Sequence, residues 1–158
     1  MKISNTYING LFCEEETDKK FELINPATES SYASLICSKE EQVDNAIGIA
    51  LSNEDVAAGL KVVERIEILN EILNGLNERS LELANAITLE MGAPIKLTSS
   101  AHIQMGVDHL QNTIKTLQGY SFEEDLTEYQ LIKVPIGLVA LITPWNWPLN
   151  QTLTKISS

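Results

Sequence analysis

Two stripes of apolar residues constrain this chain more than any other feature. Val62, Ile66, Leu69, Leu73 and Leu76 follow one another at intervals of 4, 3, 4 and 3, which places them on one face of an α-helix. Ile103, Val107, Leu110, Ile114 and Leu117 repeat the same intervals up to Gly119 and predict the longest helix. Between the two, Leu81, Ala84, Ile87 and Met91 predict a further helix that stops at Gly92, since glycine tolerates the left-handed conformation just past a helix end and Pro94 blocks continuation. Gly75 weakens the last turn of the first. Faces this apolar belong in a shared core, and Leu, Ile, Val and Phe make up about 30% of the 158 residues, enough to fill one. The length suits one domain of the usual ~100–200 residues, or part of a larger protein.

Around the helices the pattern shortens to that of strands. Thr6-Tyr7-Ile8 and Leu11-Phe12-Cys13 flank Asn9-Gly10, a pair suited to the two positive-φ positions of a type I′ turn, so a β-hairpin is expected. Lys20 to Ile24 alternates Phe21 and Leu23 with polar neighbours until Asn25-Pro26-Ala27-Thr28 stops it, and another strand is expected at Ser31 to Cys37. Ser38 stands three residues before Glu41, the spacing of a capping box, so a helix should start there and carry Val43, Ala46, Ile47 and Ala50 inward. Farther on, Ser121 to Asp125 reads as a loop, and Thr127 to Val134 as a strand with one wet face. After a turn at Pro135-Ile136-Gly137, Leu138 to Ile142 is continuously apolar, the composition of a strand buried on both faces of an α/β sheet.

Several function classes are disfavoured. The net charge is −11, with the acidic excess concentrated in residues 1–60, which argues against nucleic acid and against an anionic membrane surface as partners. The opening residues show no signal peptide, so cytoplasmic location is the default. The longest mostly apolar run, Val134 to Ile142, falls far short of the ~20 residues that span a bilayer, and no membrane anchor is expected. Cys13 and Cys37 lack metal or redox spacing and read as reduced structural thiols rather than nucleophiles. His102 and His109 are seven apart, not the i, i+4 pair that suits a metal, and are expected at the edge of the core or on the surface. Glu14-Glu15-Glu16 reads as a solvated loop.

Chemistry concentrates in Thr143-Pro144-Trp145-Asn146-Trp147-Pro148. The segment comes directly after the expected buried strand, where ligands of open α/β sheets sit, and Pro148 suits the first turn of a succeeding helix. Two large aromatics around one neutral amide could form an apolar pocket with a single oriented donor for a substrate oxygen. The same residues also suit a plain turn, with Asn146 left-handed and both indoles packing a hydrophobic corner.

Taken together, Tyr7-Ile8-Asn9-Gly10, Ile24-Asn25-Pro26-Ala27-Thr28, Leu89-Glu90-Met91-Gly92-Ala93-Pro94, and Val134-Pro135-Ile136-Gly137-Leu138 leading into Ile142 to Leu149 resemble the N-terminal part of NAD(P)-dependent aldehyde dehydrogenases. That family oxidises an aldehyde to the acid through a cysteine-bound thiohemiacetal, passes hydride to the nicotinamide, and releases the acyl group with a glutamate-activated water. The resemblance implies that Asn146 is the amide donor of the oxyanion hole. It also implies that Ile142, Thr143, Pro144 and Trp145 line the path of the cofactor, NAD or NADP, and that Trp147 stands in the aldehyde pocket, where phenylalanine is commoner. The family's monovalent-cation site would fall on backbone at Leu23 and Ile24, but its acidic companion aligns near His102, so no metal is expected.

The family's nucleophilic cysteine, its general-base glutamate and most of its cofactor site would come after residue 158. Lys155 does not replace the family's cofactor lysine by position and reads as an exposed helix cation. The expected fold class is therefore α/β, the N-terminal part of the aldehyde dehydrogenase-like fold, with a β-hairpin, a helical block and the start of a doubly wound sheet. Residues 1–120 would form the hairpin and helical part of the cofactor-binding domain. Residues 121–137 would hold the first strand of an oligomerisation element serving a homo-oligomer, and 138–158 the first sheet strand, the Pro-Trp-Asn loop and the start of the next helix. Two functions stay open: a piece of an aldehyde-oxidising enzyme, inactive alone, or a non-catalytic binding or oligomerisation module derived from that family.

Overall fold

The computed structural model describes residues 2–3, 5–14 and 19–157. Its N-terminal part is β-structure. Strand β2 (Asn5–Ile8) pairs antiparallel with β3 (Leu11–Glu14), and the turn between them has φ of 52° at Asn9 and 77° at Gly10, as a type I′ turn demands. Of the acidic triplet, Glu15 and Glu16 lie outside the described residues, and Glu14 closes β3. A separate three-stranded sheet has the order β1 (Lys2–Ile3), β5 (Ser30–Ile36), β4 (Lys20–Asn25), with β1 parallel and β4 antiparallel to β5.

The turn that ends β4 is built by Asn25. Its side-chain oxygen accepts from the amide of Ala27 at 2.9 Å, and its carbonyl accepts from the amides of Thr28 and Glu29 at 3.2 and 2.8 Å. Pro26 of this turn meets the end of α4 (Ser80–Met91). Gly92 caps that helix with φ of 73°, and a β-carbon there would come within 2.7 Å of Pro26 Cγ. Two segments far apart in sequence thus fit against each other because one residue between them has no side chain.

The core lies among α3 (Val62–Glu78), α4, α6 (Ile103–Gln118) and α7 (Pro148–Ile156). The stripes predicted from the spacing supply most of it: Leu69, Leu76, Ala84, Ile87, Ile103, Val107, Leu110 and Ile114 are buried, joined by Leu153 of α7. Leu81, in the first turn of α4, is the exception and is exposed. Helix α6 is one residue shorter than α3, but it continues from α5 (Ile95–Leu97) through a π-helical turn, Thr98–His102, so the whole run is the longest helical stretch. Thr98 is fully buried in that turn. Its hydroxyl donates to the Ile95 carbonyl at 2.9 Å and meets the Thr88 hydroxyl at 3.0 Å.

Four expectations fail. Helix α1 (Glu40–Ser52) starts after Lys39, whose amide donates to Gln42 Oε1 at 3.0 Å, because the Ser38 hydroxyl is instead bonded to Thr6 at 2.9 Å. Val43 and Ile47 are exposed and α1 buries none of its residues, since neither α2 (Glu54–Ala58) nor any other described element covers that face. Ser121 to Asp125 is not a loop throughout: Glu123–Asp125 forms β6, antiparallel to β7 (Gln130–Ile132). The Lys133 ammonium reaches Glu124 Oε1 at 2.5 Å, and its amide donates to the Phe122 carbonyl at 2.8 Å, closing the hairpin. The strand beginning at Thr127 shrinks to three residues, exposed on both faces.

The fourth is the central strand. Leu138 to Ile142 forms no strand, and Ile142 is 87% exposed. A parallel ladder needs neighbours brought in by crossovers of a dozen residues or more, and among the described residues no strand pairs with this segment. The polypeptide has mixed helix and strand, as expected, without the doubly wound sheet itself. No helix among the described residues is long and apolar enough to cross a membrane.

Candidate active site

The irregular run 138–144 leads into a bend at Trp145–Trp147 and then into α7, with Pro148 in its first turn and Gln151 donating to the Trp147 carbonyl at 2.9 Å. Proline suits that position because its missing N–H would have no intrahelical partner there. Helix α7 lies close against α6 at Gly106, where a β-carbon would come within 2.8 Å of Leu153 Cδ1 and 3.1 Å of Leu149 Cγ. Farther along, the Thr113 and Ser157 hydroxyls are 3.2 Å apart.

This packing sets the bend in place and divides its three residues. Trp145 points into open space, 79% exposed, and Asn146 is exposed too. Trp147 is half-buried, and its indole stacks on the imidazole of His102 with ring centroids 4.0 Å apart and planes 15° from parallel. Asn146 is not left-handed: the only non-glycine residues with positive φ among the described residues are Asn9 and Glu29. The plain-turn reading thus fails for Asn146 and Trp145, and holds for Trp147 alone.

Ile142, Thr143 and Pro144 are exposed, and among the described residues no backbone hydrogen bond ties 134–146. The amides of Ile142 and Thr143, the carbonyls of all three residues, the Thr143 hydroxyl and the Trp145 indole are accessible along this run. Cys13 lies in β3 and Cys37 just beyond β5, both half-buried and free. Lys155 is not the exposed cation expected; half-buried, it donates to Gln151 Oε1 at 3.0 Å.

The residue that sequence reasoning misses is His102. Expected at the core's edge or on the surface, it is 3% exposed, and its Nδ1 has no hydrogen-bond partner. Burial pushes its pKa below the usual histidine range, which favours the neutral ring. The only signal in the sequence is its position directly before Ile103. In a straight helix one residue turns about 100°, which would carry His102 away from the stripe.

Comparison with known proteins decides what this arrangement belongs to. The sequence profile of the aldehyde dehydrogenase family matches residues 12–158. The chain belongs to the aldehyde dehydrogenase family. An aldehyde dehydrogenase homologue of Staphylococcus saprophyticus is 36% identical over 152 residues, covering 96% of this chain and 32% of that protein. The solved structure of a mutant aldehyde dehydrogenase C from Pseudomonas syringae, in complex with NAD+ and octanal, superposes with a TM-score of 0.90 at 31% identity, over 95% of this chain and 31% of that one. For the aldehyde dehydrogenase of Bartonella henselae the TM-score is 0.84 at 30% identity, over 97% and 33% of the two chains. The chain spans about a third of the length of the curated relatives it matches.

Proposed function

We propose that this chain contributes the oxyanion-binding amide, Asn146, and one wall of the cofactor site to a dehydrogenase that oxidises an aldehyde to a carboxylic acid with NAD or NADP. The observation that carries the reading is the division of the bend: Trp147 is seated on His102 against the helical core, and that leaves Asn146 exposed beside an unpaired, accessible strip of backbone.

An amide suits the role. When a nucleophile adds to an aldehyde, negative charge develops on the carbonyl oxygen, and a side-chain N–H₂ donates to it without titrating near neutral pH. Its value depends on being held in place beforehand, and α7 and the stacked indole provide that. The free face of Trp147 forms an apolar wall for the aldehyde's carbon chain. The strip Ile142 to Trp145 fits a dinucleotide: it offers backbone donors and acceptors, a hydroxyl, and an indole face for a planar ring. When bound, the nicotinamide supplies the hydride acceptor. The nucleophilic thiol and the base belong to the other two thirds of the family's length, and the reading gives Cys13 and Cys37 no part.

The reading places residues 1–120 as the hairpin and helical part of the cofactor domain, 121–137 as the start of an oligomerisation element, and 138–158 as the site segment. Assembly would be as a homo-oligomer in the cytoplasm. The exposure of Tyr129, Leu131, Ile132 and Val134 supports the oligomerisation assignment. It also favours the second reading, a non-catalytic module that pairs with another subunit.

One substitution separates the two readings. In the catalytically active assembly, Asn146→Ala should lower kcat by ~10²–10³-fold with cofactor affinity nearly unchanged. A loss confined to cofactor binding would reassign the residue. Full activity in the variant, alongside pairing of the chain with a longer subunit, would favour the non-catalytic module.

A further inference from the structure

We propose that His102 is the positioning residue of the Asn146 amide: its buried imidazole, stacked on Trp147, fixes the bend from which the amide is presented. The inference rests on the reading of Asn146 as an oxyanion donor and goes beyond it, to what holds that donor still.

Little else holds the bend. Among the described residues the backbone from 134 to 146 makes no hydrogen bond, and the first such bond beyond it is at the Trp147 carbonyl, which accepts from Gln151. Asn146 precedes Trp147 directly, so tilting of the Trp147 backbone moves the amide with it, and an indole held in place restrains that tilting. A planar contact at 4.0 Å and 15° removes much of that freedom.

The ring that makes the contact is itself rigidly placed. His102 closes the π-helical turn Thr98–His102, which is anchored at its other end by Thr98, wholly buried and bonded to Thr88 and Ile95. The next residue, Ile103, lies in the core. A continuous path of packed groups therefore runs from α4 through the π turn to the bend. The extra residue in a π turn rotates the succeeding residues relative to a regular helix, and such turns recur at functional sites.

The unpartnered Nδ1 points the same way. A buried polar atom without a hydrogen bond costs stability, and an aliphatic side chain would fill the space without that cost. What an aliphatic group cannot supply is a flat face. A planar ring at 102 is therefore what the site needs.

The test separates a flat face from mere bulk. Trp145→Phe leaves Trp147 as the single indole of the chain, so acrylamide quenching of fluorescence reads its exposure directly. In that background His102→Leu should raise the quenching constant and His102→Phe should hold it at the parent value; equal constants in all three would overturn the proposal. In the catalytically active assembly, His102→Leu should lower kcat by roughly 10- to 100-fold, the scale of a small misplacement of a catalytic group, with KM for the cofactor unchanged. His102→Phe should restore it. An unchanged kcat in His102→Leu, or an equal loss in both variants, would overturn the proposal. Where His102→Leu does not fold, His102→Met offers a more adaptable aliphatic chain for the same measurement. Asn146→Ala is measured in parallel: if it costs nothing, the oxyanion reading falls; if it costs its full effect while His102→Leu costs nothing, only the positioning role falls.

Discussion

The helical block and the segment from Val134 to Ile142 are both rich in aliphatic residues, yet they end in opposite environments. In the block Ala84 and Leu110 are fully buried, whereas Val134, Ile136, Val139 and Ile142 are 76, 93, 58 and 87% exposed. The difference comes from where each kind of element finds its partners. A helix satisfies its own backbone and needs only another apolar stripe, and α3, α4 and α6 meet theirs within a few tens of residues. A central strand needs two neighbouring strands for its hydrogen bonds and helices for both faces, and these come from distant parts of a chain. The site segment continues from this unpaired run, so its geometry is fixed from one side only, by α7 and α6.

The largest effect that separates the regions should come from cutting side chains in each. Leu110→Ala removes a fully buried side chain from the middle of the core and should cost about 2–5 kcal/mol. Ile136→Ala, at a residue 93% exposed, should fall within about 0.5 kcal/mol of the parent. Urea titration followed by circular dichroism measures both. Similar losses in the two variants would mean that Ile136 is packed in solution, and the contrast between the regions would disappear.

A pair of glycines sharpens the comparison at smaller scale. Gly92 combines φ of 73° with a close approach to Pro26, so Gly92→Ala should cost about 1–3 kcal/mol through backbone strain and lost fit to the β4 turn. Gly75 lies in α3 with nothing within 4 Å of where its β-carbon would stand, so Gly75→Ala should gain about 0.5–1 kcal/mol. Thermal unfolding of the two variants should therefore move in opposite directions. A loss at Gly75 would show that α3 faces a neighbour on that side.

Legibility in the sequence divides along the same line. The stripes of α3, α4 and α6, the Asn9-Gly10 hairpin, the Gly92 cap and Pro148 at the start of α7 are local signals, in which a few residues dictate a conformation by themselves. Hairpin β6–β7 escapes such reading because acidic Glu123 to Asp125 is a poor strand by composition, and its pairing depends on Lys133 and the Gln130–Ile132 backbone. Leu138 to Ile142 reads as a central strand because composition reports what a segment needs, not whether its partners are present. The burial of His102 is illegible because a regular helical projection has no place for the π turn that brings it inward. At the site, the family resemblance singles out Asn146 and the strip beside it, while the contact beneath them emerges only from the fold.

The smallest effect, and the one that probes the boundary between core and site, is the pH dependence carried by His102. Burial places its folded-state pKa below the ordinary value of 6.5. Above that value the ring is neutral in folded and unfolded chains alike and contributes no slope. As pH falls through 6.5, the unfolded chain takes up the proton first, so stability declines with falling pH until the folded-state pKa is reached, and levels off below it. The Glu82 carboxylate, held below its usual range by its hydrogen bond and charge pairing with Arg79, loses its favourable contribution at lower pH and belongs to a separate window. His102→Phe removes only the histidine's part. The stability of the parent minus that of the variant, measured by urea titration across the window, should be flat near pH 8 and fall on the acid side of 6.5. A difference that stays flat would show the ring taking its proton as readily in the folded chain as in the unfolded one. Water would then reach the imidazole, and the stack with Trp147 would not be the closed contact on which the rigidity of the bend depends.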